Sequence, residues 1–103
     1  MTILPAADCT TMAEVRAGVD SLDRELVALL RRRFDYMDAA ARIKPARGHV
    51  RDEPRKAAVI ANARTAAEAA GLPGADIAAM WETLVEASIA YELAAFDRTR
   101  GQG

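Results

Sequence analysis

The sequence has few of the residues that build disulfides, metal clusters and membrane spans. Cys9 is the only cysteine, which excludes a disulfide within one chain and a thiolate metal cluster. No apolar run approaches the roughly 20 residues that a membrane helix needs. The first residues lack a basic segment followed by a long apolar run, so we expect no signal peptide. We therefore expect a soluble, cytoplasmic protein that does not bind membranes.

Aromatic residues and net charge are also scarce. Aromatics make up 5% of the chain, and much of its 51% apolar content is alanine, which favours helix but adds little core volume. A single domain of this size is near the lower limit for a self-sufficient core, so we expect association with another chain. The net charge of −1 creates no overall field that attracts nucleic acid. Glycine-rich phosphate loops, Cys/His metal sets and nucleophile triads are missing, so we expect no metal or cofactor.

Residues 11–44 carry the strongest pattern in the chain. This stretch contains no proline, and Thr11 with Glu14 matches the capping box that starts a helix. Pro45 disfavours helical geometry in the residue before it. At ~1.5 Å per residue the predicted helix is roughly 50 Å long, which is longer than a globule of this size is wide. Its apolar positions recur every three or four residues, at Met12, Val15, Val19, Leu22, Leu26 and Leu29.

Two shorter helices are predicted after this one. Residues 45–54 contain two prolines and a glycine and are predicted to form a loop. The second helix runs from Pro54 to about Ala70 with Gly71 as its cap, and the third from about Ala75 to Arg98. Residues 1–10 are predicted as a loose arm and 99–103 as a tail. The prediction is one all-α domain over residues 1–103, with three helices and a very long first helix.

Charged and polar residues interrupt the apolar faces of all three helices. Arg33 occupies a stripe position of the first helix, and Lys44, eleven residues later, lies on the same face. Ser88 and Glu92 continue the apolar face of the third helix, and Arg55 is on the apolar side of the second. Unpaired buried charge is costly. This surplus of cations therefore predicts a cavity that binds a small dianion.

Arg16 suggests that two chains share each cavity. It flanks the stripe of the first helix but lies roughly 25 Å from Arg33 along the helix, too far to hold one small molecule with it. If two long helices pair antiparallel about a twofold axis, Arg16 of one chain can reach Arg33 and Lys44 of the other. We therefore predict a homodimer with two shared sites.

Each of these residues also has a structural explanation. An arginine in an apolar stripe more often covers apolar surface with its stem or forms an ion pair. Ser88 alone is more often a helix serine bonded to the backbone, and Glu92 can pair with Arg33 as a structural salt bridge. His49, in a loop without suitably spaced neighbours, is predicted to lie on the surface. The pattern by itself predicts a helical dimer with a cationic cavity and leaves its function open.

The same residues, in this order, resemble the all-helical chorismate mutase family, including its isochorismate-pyruvate lyase branch. The resemblance covers about residues 8–101. Asp52 and Arg55 resemble the family's loop pair, although the loop is one residue shorter, and Ser88 with Glu92 resembles its third-helix pair. The matches in the first helix run without a gap through Val15-Arg16, Leu22-Asp23, Leu29-Leu30, Arg33 and Lys44.

The resemblance implies a role for each matched residue. Arg16 of the partner and Arg33 are expected to bind a substrate carboxylate, and Lys44 to contact the ether oxygen and a carboxylate. Glu92 is expected to face the breaking ether bond. The implied catalytic residues are thus Lys44, Glu92 and Arg33. The implied substrate-binding residues are these three with Arg16, Asp52, Arg55 and Ser88.

Some positions depart from the mutase pattern. Lys56 stands where mutases often carry a glutamate that contacts the substrate hydroxyl, and Glu92 stands where many carry glutamine. Glu92 can donate a hydrogen bond only when protonated, so activity is expected to fall as pH rises. Other segments resemble the lyase branch more than they resemble the mutases. These are Asp8-Cys9-Thr10, Tyr36, Ala39-Ala40 and Arg98-Thr-Arg-Gly101.

Three functions follow, in order of preference. The first is the rearrangement of chorismate to prephenate, which needs no nucleophile, metal or cofactor. The second is cleavage of isochorismate to salicylate and pyruvate by the same residues. The third is a non-enzymatic helical interaction module whose arginines only pair with acids.

Overall fold

The computed structural model describes residues 3–100, and all of its regular structure is helical. The three long helices are α1 (Met12–Ile43), α2 (Glu53–Ala69) and α3 (Gly74–Arg100). Three-residue 3₁₀ turns occupy Ala6–Asp8 and Arg47–His49. The predicted all-α class with three helices and a very long first helix is confirmed. Among the described residues no helix is long and apolar enough to cross a membrane.

Two predicted irregular segments contain helical structure. The predicted arm includes the 3₁₀ turn at Ala6–Asp8, and the predicted loop includes the turn at Arg47–His49. At the other end, α3 continues to Arg100, so Thr99 is helical rather than the start of a tail. Arg100 is helical as well, and residues 101–103 of that predicted tail lie outside the described residues.

The chain divides into two compact units, the first ending at Asp35 and the second beginning at Tyr36. The boundary falls within α1. The first unit contains the turn at Ala6–Asp8 and most of α1. The second contains the last residues of α1, the turn at Arg47–His49, α2 and α3.

The start of α1 confirms the capping box. Glu14 Oε1 accepts from the backbone N–H groups of Thr10 (2.9 Å) and Thr11 (3.0 Å). In return, Thr11 Oγ1 accepts from the Glu14 N–H at 3.2 Å. These donors, Thr10 first, lower the pKa of Glu14. Backbone donors that would otherwise be unpaired at the helix end are thereby satisfied.

The apolar stripe of α1 remains exposed in the single chain. Each stripe member is at least 38% exposed, although burial of this face is what its spacing predicts. None of the described residues of the first unit is buried. We call this surface the α1 stripe; it comprises Met12, Val15, Val19, Leu22, Leu26 and Leu29.

The second unit contains the buried core. Val50, Val85 and Ile89 form one cluster, against which partly buried residues of α2 and α3 pack. Ala41 near the end of α1 forms another with Ala95 and Phe96. The first cluster therefore lies where the loop before α2 meets α2 and α3, and the second joins the end of α1 to α3.

The connection between α2 and α3 depends on Gly71. This residue has φ +76°, a conformation that suits glycine because a Cβ would be strained. The Leu72 N–H donates to the Ala67 carbonyl at 2.8 Å and the Gly71 N–H to Glu68 at 3.1 Å. These two bonds form a Schellman cap, as the sequence predicted for Gly71.

Candidate active site

A buried ion pair joins the end of α1 to the middle of α3. Lys44 directly follows α1, and its Nζ lies 2.6 Å from Glu92 Oε2. The Glu92 side chain is 6% exposed and that of Lys44 is 30% exposed. A carboxylate at this depth needs a charged partner, and Lys44 supplies it. The structure therefore brings together the two residues predicted to lie nearest the breaking bond.

Val50 places a backbone carbonyl beside the same ammonium group. Lys44 Nζ lies 3.5 Å from the Val50 oxygen, at the outer limit of a hydrogen bond. The Val50 side chain is 4% exposed and packs with Val85 and Ile89. Its N–H donates to the Arg47 carbonyl at 3.1 Å and thereby closes the 3₁₀ turn. Sequence reasoning missed Val50, although a β-branched residue in a polar loop was an available signal.

Asp52 and Arg55 lie at the start of α2. Asp52 is the N-cap, and its Oδ1 accepts from the Arg55 N–H at 3.0 Å. Arg55 was expected on the inner side of the second helix, but it is exposed. Among residues 3–100 its guanidinium has no ion-pair partner, which leaves it accessible to an anion. His49 is exposed as predicted.

Ser88 is buried in α3, one turn before Glu92. Its exposed fraction is 4%, and its Oγ donates to the Leu84 carbonyl at 2.7 Å. This bond within the helix matches the structural explanation for a helix serine. A contact between Ser88 and substrate stays a prediction.

Arg16 and Arg33 belong to the part of α1 in the first unit. Arg16 is exposed and Arg33 is half-buried. Their predicted action together with Lys44 and Glu92 stays a prediction.

A cluster of exposed ion pairs links the loop before α2 to α3. Arg51 donates to both carboxylate oxygens of Glu86, at 3.0 and 2.8 Å, and to Glu53 at 2.9 Å. Lys56 Nζ lies 2.7 Å from both Glu82 and Glu86. Sequence reasoning did not predict this cluster. Two acids four residues apart on α3, with two cations near the start of α2, were the available signal.

The cluster shifts the ionisation of its members. Hydrogen bonds from Arg51, and then from Lys56, lower the pKa of Glu86 to about 2. The hydrogen bonds that Lys56 donates to Glu82, and then to Glu86, raise the pKa of Lys56. Glu86, followed by Glu53, raises the pKa of Arg51. Glu86, Lys56 and Arg51 therefore all favour their charged forms.

Lys56 is consequently engaged with protein carboxylates. It also lines an open groove of about 380 Å³ between α2 and α3, together with Glu53, Arg64 and Glu82. Charges of both signs line this groove, so it does not suit a dianion. Within residues 3–100 no three His, Cys, Asp or Glu side chains are grouped as metal ligands.

Comparison with known proteins identifies the family. The profile described as chorismate mutase type II matches residues 15–93. Over 94 residues the chain is 31% identical to isochorismate pyruvate lyase of Pseudomonas aeruginosa, an alignment that covers 91% of this chain and 93% of that protein. The two matches support an enzyme that acts on a chorismate-type substrate, and their names differ in the reaction. The chain belongs to the chorismate mutase type II family.

Proposed function

We propose that the protein is a chorismate mutase that converts chorismate to prephenate in two sites shared by a homodimer. The observation that carries this proposal is the ammonium of Lys44, held 2.6 Å from the buried carboxylate of Glu92. Membership of the chorismate mutase type II family supports the substrate class.

The reaction needs a dianion held in one conformation. Chorismate carries two carboxylates, and its C–O bond breaks as a C–C bond forms within the same molecule. Arg16 of the partner, Arg33 and Arg55 would bind the carboxylates and hold the chair-like reactive conformer. Such positioning is a large part of the rate enhancement in a reaction that requires no protein nucleophile. The accessible guanidinium of Arg55 supports this role.

Lys44 would stabilise the charge that develops in the transition state. Negative charge grows on the ether oxygen as the C–O bond lengthens, and a fixed ammonium directed at that oxygen lowers the barrier. Glu92 and the Val50 carbonyl contact this ammonium and restrict where it can lie. Lys44 is thus the residue on which the proposed chemistry depends most.

Glu92 would assist at the ether oxygen only in its protonated form. An ionised carboxylate has no proton to donate and would repel the growing negative charge. Glu92→Gln should keep or improve activity at high pH, because its amide can accept from Lys44 and donate to the ether oxygen at once. The pH profiles of kcat for both proteins test this role, and two flat, identical profiles would exclude it.

The exposed α1 stripe supports the homodimer. Apolar side chains that are at least 38% exposed along one helix face gain most by burial against a second copy. A groove of about 530 Å³ adjoins this face and extends the apolar surface. The groove is lined mainly by Ile3, Leu4, Cys9, Val15, Val19 and Leu22.

Mixing two inactive variants tests the shared sites. Arg16→Ala and Lys44→Ala should each be inactive alone, because every site lacks one group. In a mixed dimer, one site carries both defects and the other carries none. Random exchange of subunits should therefore restore about a quarter of the wild-type sites. Mixing Lys44→Ala with Glu92→Ala is the control, since both residues belong to one chain's site. Equal recovery in both mixtures, or recovery in neither, would contradict sharing through Arg16.

The second candidate is isochorismate cleavage to salicylate and pyruvate. The observation that favours it is the 31% identity to isochorismate pyruvate lyase over 93% of that protein. The same cations would hold isochorismate, which also carries two carboxylates. Purified protein given each substrate separately decides between the reactions: prephenate from chorismate supports the mutase, and salicylate fluorescence from isochorismate supports the lyase. Lys44→Ala is the control in both assays. Inactivity on both substrates would favour the non-enzymatic interaction module.

A further inference from the structure

We propose that Glu86 is a positioning residue that holds Lys44 in place through Arg51 and the Val50 carbonyl. This proposal rests on the proposed function, in which Lys44 contacts the substrate. Glu86 itself would not touch the substrate.

The first link is the ion pair between α3 and the loop. The guanidinium of Arg51 donates one hydrogen bond to each oxygen of Glu86, at 3.0 and 2.8 Å. A guanidinium bound in this two-point manner is fixed in orientation as well as in distance. Glu86 therefore restricts residue 51 more than a single contact would.

The second link is the peptide group between residues 50 and 51. This group carries the Val50 carbonyl, which lies 3.5 Å from Lys44 Nζ. On one side of it, the Val50 side chain packs against Val85. On the other side, Arg51 is held by Glu86, the next residue along α3. Two consecutive loop residues are thus anchored to two consecutive helix residues, which sets the direction of the carbonyl.

The third link is the ammonium itself. Among residues 3–100, Lys44 Nζ contacts the Glu92 carboxylate and the Val50 carbonyl. Glu92 alone would leave the ammonium able to swing about a single hydrogen bond. The Val50 carbonyl restrains the ammonium from a second direction. Displacement of residue 50 should therefore change the direction in which the remaining N–H groups of Lys44 point.

Because the ion pair between Arg51 and Glu86 is exposed, its effect on the position of the loop can be measured apart from its effect on stability. The side chains of Arg51 and Glu86 are 46% and 39% exposed, and ion pairs at such sites contribute little to folding. Loss of the pair should therefore move the loop without unfolding the protein. Glu86 is ionised well below neutral pH, since its pKa is about 2, so the anchor persists throughout an ordinary assay range.

Glu82 provides the matched control. It lies one turn before Glu86 on α3, is 52% exposed and contacts the same Lys56 at 2.7 Å. Among residues 3–100 it has no ion pair with Arg51. Glu82→Gln and Glu86→Gln thus remove the same charge from the same helix face, but only the second breaks the two-point pairing of Arg51 with α3.

The experiment compares these two variants with the wild type on chorismate and on isochorismate. For the substrate that is turned over, Glu86→Gln should lower kcat about tenfold and change KM by less than about twofold. Glu82→Gln should match the wild type in both constants. Amide hydrogen exchange at His49 and Val50, whose N–H groups close the 3₁₀ turn, should be faster in Glu86→Gln alone.

Each outcome decides the proposal. Wild-type kcat in Glu86→Gln overturns it, and equal losses in both variants overturn it because the effect would then come from Lys56. If Glu86→Gln does not fold, Arg51→Gln removes the same anchor from the loop side and must give the same loss of kcat. If the wild type is inactive on both substrates, the proposed function fails. Exchange at His49 and Val50 then still decides whether Glu86 holds the loop.

Discussion

The two units differ in where their apolar residues lie. In the first unit the α1 stripe is exposed, and no described residue is buried. In the second unit, small clusters around Val50 and Phe96 are buried, and a carboxylate is buried with them at Glu92. The first unit thus presents a surface that a second chain can cover, whereas the second unit already encloses polar groups. One chain builds the centre of the candidate site, and we propose that the other chain completes it.

The largest expected effect comes from removing the charge pair in the second unit. Lys44→Ala should lower kcat about 10²–10³-fold, because no group would oppose the charge on the ether oxygen. It should also lower the free energy of unfolding by about 2–3 kcal/mol, since Glu92 would stay buried without its partner. The double variant Lys44→Ala with Glu92→Gln should recover stability but not activity. Urea unfolding and steady-state kinetics measure the two effects, and a stable but inactive single variant would contradict the pairing energy.

The second expected effect is a loss of stability whose dependence on protein concentration should differ between the two units. Ile89→Ala in the second unit should lower the free energy of unfolding by about 2–4 kcal/mol, because it leaves a cavity in a packed cluster. Leu22→Ala in the α1 stripe should act by weakening association, so its effect should shrink as protein concentration rises. Thermal unfolding at several concentrations, with sedimentation to measure the oligomer, tests both. A concentration-independent loss in Leu22→Ala would contradict the distinction.

The smallest expected effect is on stability in acid. Glu86 has its pKa lowered from 4.5 to about 2, so its contribution to stability is complete above pH 4.5 and is lost as pH falls toward 2. Glu86→Gln removes this contribution and should unfold with a weaker pH dependence over that interval. Glu82→Gln leaves the ion pair between Glu86 and Arg51 in place, so this variant should retain more of the pH dependence. The unfolding midpoint measured between about pH 5 and pH 2 checks this, and identical slopes in both variants would exclude Glu86 as the source.

Local interactions made much of the fold predictable. The capping box of Thr11 and Glu14 joins residues three apart, and the cap at Gly71 depends on one residue's backbone conformation. Such features can be read from neighbouring letters of the sequence. The inward direction of Glu92 was predictable too, because it continues the apolar period of α3.

Contacts between distant residues were harder to predict. Lys44 and Glu92 are 48 positions apart and Arg51 and Glu86 are 35 apart. The first pair was implied by the family resemblance and the second was not. Arg55 was placed on the apolar side of the second helix by helical period, and it is exposed in the single chain. Periodicity gives the face of a helix but not how far neighbouring elements extend over it.

By itself, the sequence determined the number of helices, their approximate ends and the residues that share a face, because hydrogen bonds and caps within a few residues control these features. Tertiary structure decided which charges meet. It buried Val50, turned the carbonyl of that residue toward Lys44 and set Arg51 against Glu86. The physical reason is that a buried charge is stable only where the packing of separate elements supplies its partner.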